Sequence, residues 1–206
     1  MALWLNGVMP RTATGTKQSL VFDAKGFRLI EFNRKPIDPD PIRGFALAWN
    51  KDLTLIHVLE SNRFRLNGYA IFRNEDVRKW RAFPPDDFLS RSARILRLAP
   101  SKPDGVAFSS MRQAIASAGA SFPLVTVHRE RIHRGGCDIG KVLRTNQRTL
   151  TILPITPQAE WEEAESFHLK DITLIEFGGA YEDLLFRLAN KPGLGVPVHL
   201  PRNQKH

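Results

Sequence analysis

The residues most able to do chemistry form four groups. His128, His133 and Cys137 lie close together and are types that bind zinc. Their spacing fits no standard finger, a fourth ligand is missing, and Arg129, Arg131 and Arg134 would repel a cation. No metal site or cofactor is expected. Asp76 and Asp171 stand at equivalent places before two apolar segments. Paired acids serve acid–base catalysis only when they converge in a cleft. Their repetition instead suggests a shared turn role, with each carboxylate capping backbone N–H groups. Gly178-Gly179 precedes a helical pattern, but no Lys or Ser follows as a phosphate loop needs. No Ser-His-Asp or Cys-His motif appears, so an enzyme is not expected and no catalytic residue is assigned.

The fourth group is basic and aromatic. Arg43, Lys51, Arg63, Arg65 and Arg73 are interleaved with Trp49, Phe64, Tyr69 and Phe72. Cations beside rings suit single-stranded nucleic acid, because bases stack while phosphates pair. The same rings at alternating strand positions also serve as core. The net charge of +9 attracts polyanions or acidic proteins and is uneven. Residues 1–100 carry 17 Lys+Arg against 10 Asp+Glu, and the remainder 13 against 11. Arg43, Trp49, Lys51, Arg63, Arg65 and Arg73 are therefore the candidate nucleic-acid contacts. A second basic run, Arg129 to Arg148, faces the acidic stretch Glu160-Trp161-Glu162-Glu163-Ala164-Glu165 of the same segment. Those arginines read as a solvated or internally paired face.

Short strands must position these side chains. Alternation and turn residues predict strands near 27–33, 43–49, 53–59, 64–72 and 77–80, then near 122–128, 138–145, 149–155, 164–169 and 172–177. Gly68 signals a bulge or bend. Pro84-Pro85-Asp86-Asp87 opens a helix, a second helix covers 107–118, and Tyr181, Leu184, Leu185 and Leu188 predict a third over 180–190. Residues 1–19 read as a disordered arm and 191–206 as an extended tail.

The strand pattern occurs twice, about 96 residues apart. Gly44, Asn50 and Leu53-Thr54-Leu55-Ile56 are matched by Gly140, Asn146 and Leu150-Thr151-Ile152-Leu153. Phe72-Arg73-Asn74-Glu75-Asp76-Val77 is matched by Phe167-His168-Leu169-Lys170-Asp171-Ile172. Asn50 and Asn146 read as turn residues that tolerate left-handed geometry.

The first copy resembles the Sm-like small barrel: a glycine, a turn residue six positions on, an apolar strand, then a segment like Phe72–Val77. The whole chain also looks like bacterial tandem-barrel proteins of unknown function. The resemblance implies a mainly β fold: two tandem Sm/SH3-like five-stranded barrels at 20–83 and 121–190, a helical connector at 84–120 and a C-terminal helix. The family's base-stacking position corresponds to Asp52, which cannot stack, and its base-hydrogen-bonding asparagine to Thr54, whereas Arg73 matches the family's arginine. Two functions follow as expectations. One is a non-catalytic module contacting RNA or single-stranded nucleic acid through the first barrel. The other is a protein-interaction or self-association module using barrel edges. No apolar run is long enough for a membrane span, and Met1-Ala2-Leu3-Trp4-Leu5 is too short for a signal core. With a single Cys137, a cytoplasmic location is expected.

Overall fold

Short alternating segments build ten antiparallel strands in the computed structural model, which describes residues 27–191. The first five are β1 (Leu29–Asn33), β2 (Ile42–Trp49), β3 (Leu53–Glu60), β4 (Arg65–Arg73) and β5 (Lys79–Ala82). Helices α1 (Phe88–Ile95) and α2 (Met111–Ser121) follow. The second five are β6 (Val125–His128), β7 (Cys137–Thr145), β8 (Thr149–Pro154), β9 (Glu165–His168) and β10 (Leu174–Phe177), and α3 (Ala180–Ala189) closes the described chain. The protein is mainly β with three helices, as its sequence predicts. The 1–19 arm lies outside the described residues, as does the 191–206 tail beyond Lys191. No helix among the described residues is long and apolar enough to cross a membrane.

The expectation of two closed barrels needs correction. The strands form one continuous sheet in the order β5-β1-β2-β3-β4-β10-β6-β7-β8-β9, and it does not close. In each half the fifth strand pairs with the first, β5 with β1 and β10 with β6. The fourth strand of the first half does not turn back to β5. It pairs with β10 instead, so one half satisfies the hydrogen-bonding edge that the other leaves open.

Both halves use the same local devices. Gly44 and Gly140 each sit where a Cβ would meet a carbonyl oxygen, of His57 at 2.4 Å and of Leu153 at 2.5 Å. Register shifts follow between Ala46 and Ala48 and between Val142 and Arg144, which bend the paired strands. Asn50 Oδ1 accepts from the backbone N–H groups of Asp52 and Leu53, and Asn146 Oδ1 from those of Arg148 and Thr149. The side chains make the turns, and neither asparagine has a positive φ. Single 3-10 turns, Asn74–Asp76 and Leu169–Asp171, precede the last strands.

Helix α2 starts four residues later than its periodicity suggests because the Ser110 side chain caps the Gln113 N–H. Its buried Met111, Ala114, Ile115 and Ala118 pack with Leu55 and Ile71 of the first half and with Val125, Ile152 and Ile175 of the second. The main core is thus shared between the halves. A side chain such as Ile115, fully buried, contributes about 1.5–3 kcal/mol.

Candidate assembly edges and the seam between the halves

The seam begins as backbone pairing. Leu174 lies opposite Phe72, Ile175 opposite Ile71, Glu176 opposite Ala70 and Phe177 opposite Tyr69. Tyr69 stacks between His57, with centroids 4.4 Å apart, and Phe177, at 5.6 Å. Burial pushes the His57 pKa down, which favours the neutral ring.

Charged side chains then lock the seam. The fully buried Arg34 donates to both oxygens of Glu130, at 2.7 and 2.5 Å, and to Asp38 at 2.9 Å. Glu130 also accepts from Thr173 Oγ1 at 2.7 Å. Arg131 reaches back to Glu75 and Asp76, each at 2.6 Å. Arg73 donates to the backbone oxygens of Ile172 and Leu169, at 2.7 and 2.8 Å. The carbonyls of Leu169 and Ile172, at the start of and just after the 3-10 turn of the second half, thus accept from a guanidinium of the first half.

The six sequence-based candidates are dispersed. Trp49, Lys51 and Arg73 lie at one end of β3, where Trp49 pairs with Thr54 and Arg73 with Leu53. Arg43, Arg63 and Arg65 lie toward the other end. The eight residues of β3 put the two ends about 23 Å apart. Arg43 bonds Glu31 at 2.7 Å, Arg63 and Arg65 share Glu60 at 2.9 and 2.6 Å, and Lys51 lies 3.8 Å from Asp52. Trp49 is half-buried. The fold therefore gathers Arg63 and Arg65 but not all six, and it spends Arg73 on the seam.

The remaining groups have structural partners. His128 Nε2 lies 2.9 Å from the Glu176 carboxylate. Arg129 bonds Asp138 and covers the Phe167 ring at 4.0 Å. Asp76 binds Arg131 rather than capping a backbone N–H. Desolvation and the carboxylates of Glu176, Asp138 and Glu182 push the Cys137 thiol up, away from the reactive thiolate.

Two carboxyls in the first half titrate in opposite directions. Burial pulls Glu31 upward, but hydrogen bonds from Arg81 and Arg43 and their charges outweigh it, so its pKa lies below 4.5. A lowered native pKa adds stability that is complete above the unfolded value and is lost as pH falls through the native one. Burial raises the Asp76 pKa above 3.8 despite Arg131, so its contribution is instead lost as pH rises through that range. Melting temperature against pH should accordingly show a shallower acid limb for Glu31→Gln than for the wild type. An unchanged acid limb would refute the Glu31 assignment.

Sequence reasoning expected interaction through strand edges but not which strands would leave the sheet open among the described residues. At one end stands β5, flanked by Arg78, with Lys79 and Arg81 exposed. At the other stands β9, whose Glu165 follows Glu160, Glu162 and Glu163, all exposed and forming no ion pair among the described residues. The edges are therefore oppositely charged. Alternating strand polarity could have revealed this, but which strands end the sheet depends on the β4–β10 pairing.

No family model matches the chain, and no curated protein and no solved structure matches it.

Proposed function

We propose that this protein is a non-catalytic assembly module, two Sm-like units joined edge to edge, that adds further copies by pairing β9 with β5 of the next copy. The observation that carries this reading is the seam inside the chain. The pairing of β4 with β10 joins the fourth strand of one half to the fifth strand of the other, and β9 and β5 are the fourth and fifth strands whose outer edges are unpaired among the described residues. Gly44 pairs with Ile30 and Ile30 with Ala82; Gly140 pairs with Val125 and Val125 with Phe177. Ala82 therefore takes the place of Phe177, and Arg81 that of Glu176. By the same transfer Phe167 takes the place of Phe72, because Thr54 faces Phe72 and Leu150 faces Phe167.

Carrying the seam's register over sets Phe167 opposite Lys79, Ser166 opposite Trp80 and Glu165 opposite Arg81 of the next copy. Charge supports that order. Two β5 edges repel each other, as do two β9 edges, whereas β9 against β5 puts opposite charges face to face. The arrangement is head-to-tail, so it yields rings or filaments rather than a two-fold dimer.

Light scattering and native mass measurements test this. Wild type should form multimers, and Glu165→Arg should weaken association about tenfold by placing like charges opposite one another. Adding Arg81→Glu should restore it. A monomer at every concentration, or a Glu165→Arg variant that assembles as wild type does, would sink the reading.

Contact with RNA or single-stranded nucleic acid is the second reading. It is supported by the net charge of +9 and by Arg63, whose side chain is 63% exposed.

A further inference from the structure

We propose that the rings of Phe64 and Phe88, with the guanidinium groups of Arg63 and Arg65, form a stacking site for single-stranded nucleic acid. This inference rests on the second reading above and gives it a place outside the seam.

The site is built at the β3–β4 turn. Phe64 has φ +50, a left-handed conformation that a bulky side chain adopts only under strain. Glycine or asparagine would relieve that strain, so the position gains nothing locally from a phenylalanine. What the conformation provides is a ring beside Phe88, with centroids 5.8 Å apart and planes at 80°. Phe88 opens α1 and is 69% exposed, so the pair presents an uncovered aromatic surface. Phe64 belongs to none of the hydrophobic clusters that fill the described interior. Its role in the core is slight.

The charges around the rings are cationic on balance. Arg63 and Arg65 share one carboxylate, that of Glu60, which leaves one positive charge uncompensated at the turn. Arg91 lies one helical turn after Phe88 and is exposed. Asp87 is occupied in capping the Leu89 N–H, and Asp86 is the other acid nearby in sequence. An exposed ring flanked by guanidinium groups meets a base with its face and a phosphate with its edge. A duplex hides its base faces, so the site selects single strands. Stacking accepts any base, and binding should be sequence-tolerant.

The test is fluorescence anisotropy of the full chain with labelled oligouridine, oligothymidine and a duplex control across a salt series. Single strands should bind more tightly than duplex, and comparing the ribose and deoxyribose forms separates RNA from DNA. Phe88→Ala should weaken binding about tenfold, and Phe88→Leu, which keeps the apolar bulk, should weaken it as well. Arg63→Gln/Arg65→Gln should lower the salt slope by about 1–2. Circular dichroism melts should leave the Phe88 variants near wild type, since that side chain is exposed. Absence of binding by the wild type would overturn both the second reading and this site. Wild-type binding that none of these variants weakens would overturn the site alone. Loss of self-association in Phe88→Ala without any nucleic-acid binding would make the patch a protein contact and overturn the inference.

Discussion

Replacing Glu130 by alanine is expected to remove about 3–5 kcal/mol of folding stability. The residue sits in the second half, yet its counter-charge, Arg34, comes from β1's end in the first. Arg34 is fully buried and its Nε has no hydrogen-bond partner, so Glu130 and Asp38 carry its compensation. Alanine at 130 would leave Arg34 with the more exposed Asp38 alone, and would also strip Thr173 Oγ1 of its carboxylate acceptor. Removing one partner of a buried pair leaves a charge that water cannot reach, and that penalty exceeds the net worth of the pair. The double variant Arg34→Met/Glu130→Leu should therefore recover most of the loss. Urea denaturation of the four proteins in the cycle checks this. A Glu130→Ala midpoint within error of wild type would show that the seam does not depend on the pair.

The same pair shows where sequence reading succeeds and where it stops. Strand positions were legible because each strand carries its own alternation and its own turn, as at Asn50 and Asn146. The role of Arg34 was not. Nothing near Arg34-Lys35-Pro36 indicates a buried charge, and Glu130 stands between Arg129 and Arg131 in what reads as a basic run. Their meeting depends on β4 pairing with β10, a contact between segments about a hundred residues apart. Local patterns carry no record of which free edge takes which partner. Arg73 illustrates the same limit: its type matched a binding pattern, but the seam directs it to two carbonyls. Phe64 shows another. Alternation places it on a strand, whereas its backbone is left-handed and its ring lies beside α1. What the sequence predicts well is therefore the set of strands, and what it predicts poorly is whatever the joining of the two halves brings together.

Gly68 puts that joining to a direct test. The glycine was legible as an irregularity, and the β3–β4 register does shift nearby, between His57 and Leu59. The requirement for glycine comes from the other half. Its φ is +68, and a Cβ there would lie 2.6 Å from the Gly179 nitrogen and 2.7 Å from the Phe177 oxygen, both backbone atoms that cannot swing aside. Gly68→Ala therefore meets two penalties together. The left-handed backbone costs about 1–2 kcal/mol for any residue with a Cβ, and relief of the clash must push β10 away from β4. Displacement of β10 would in turn disturb the hydrogen bond from the Ala180 N–H to Asn67 Oδ1 and the stacking of Tyr69 on Phe177. The expected result is a loss of more than about 2 kcal/mol, with hydrogen-exchange protection falling first in β4 and β10 and later in β2, β3, β7 and β8. If protection falls evenly across the sheet, the halves unfold as one unit and the seam is no weaker than the rest. If Gly68→Ala is neutral, the close approach of the two halves at this point is wrong. The assembly reading makes the result matter twice, because the seam is the template for the contact between copies.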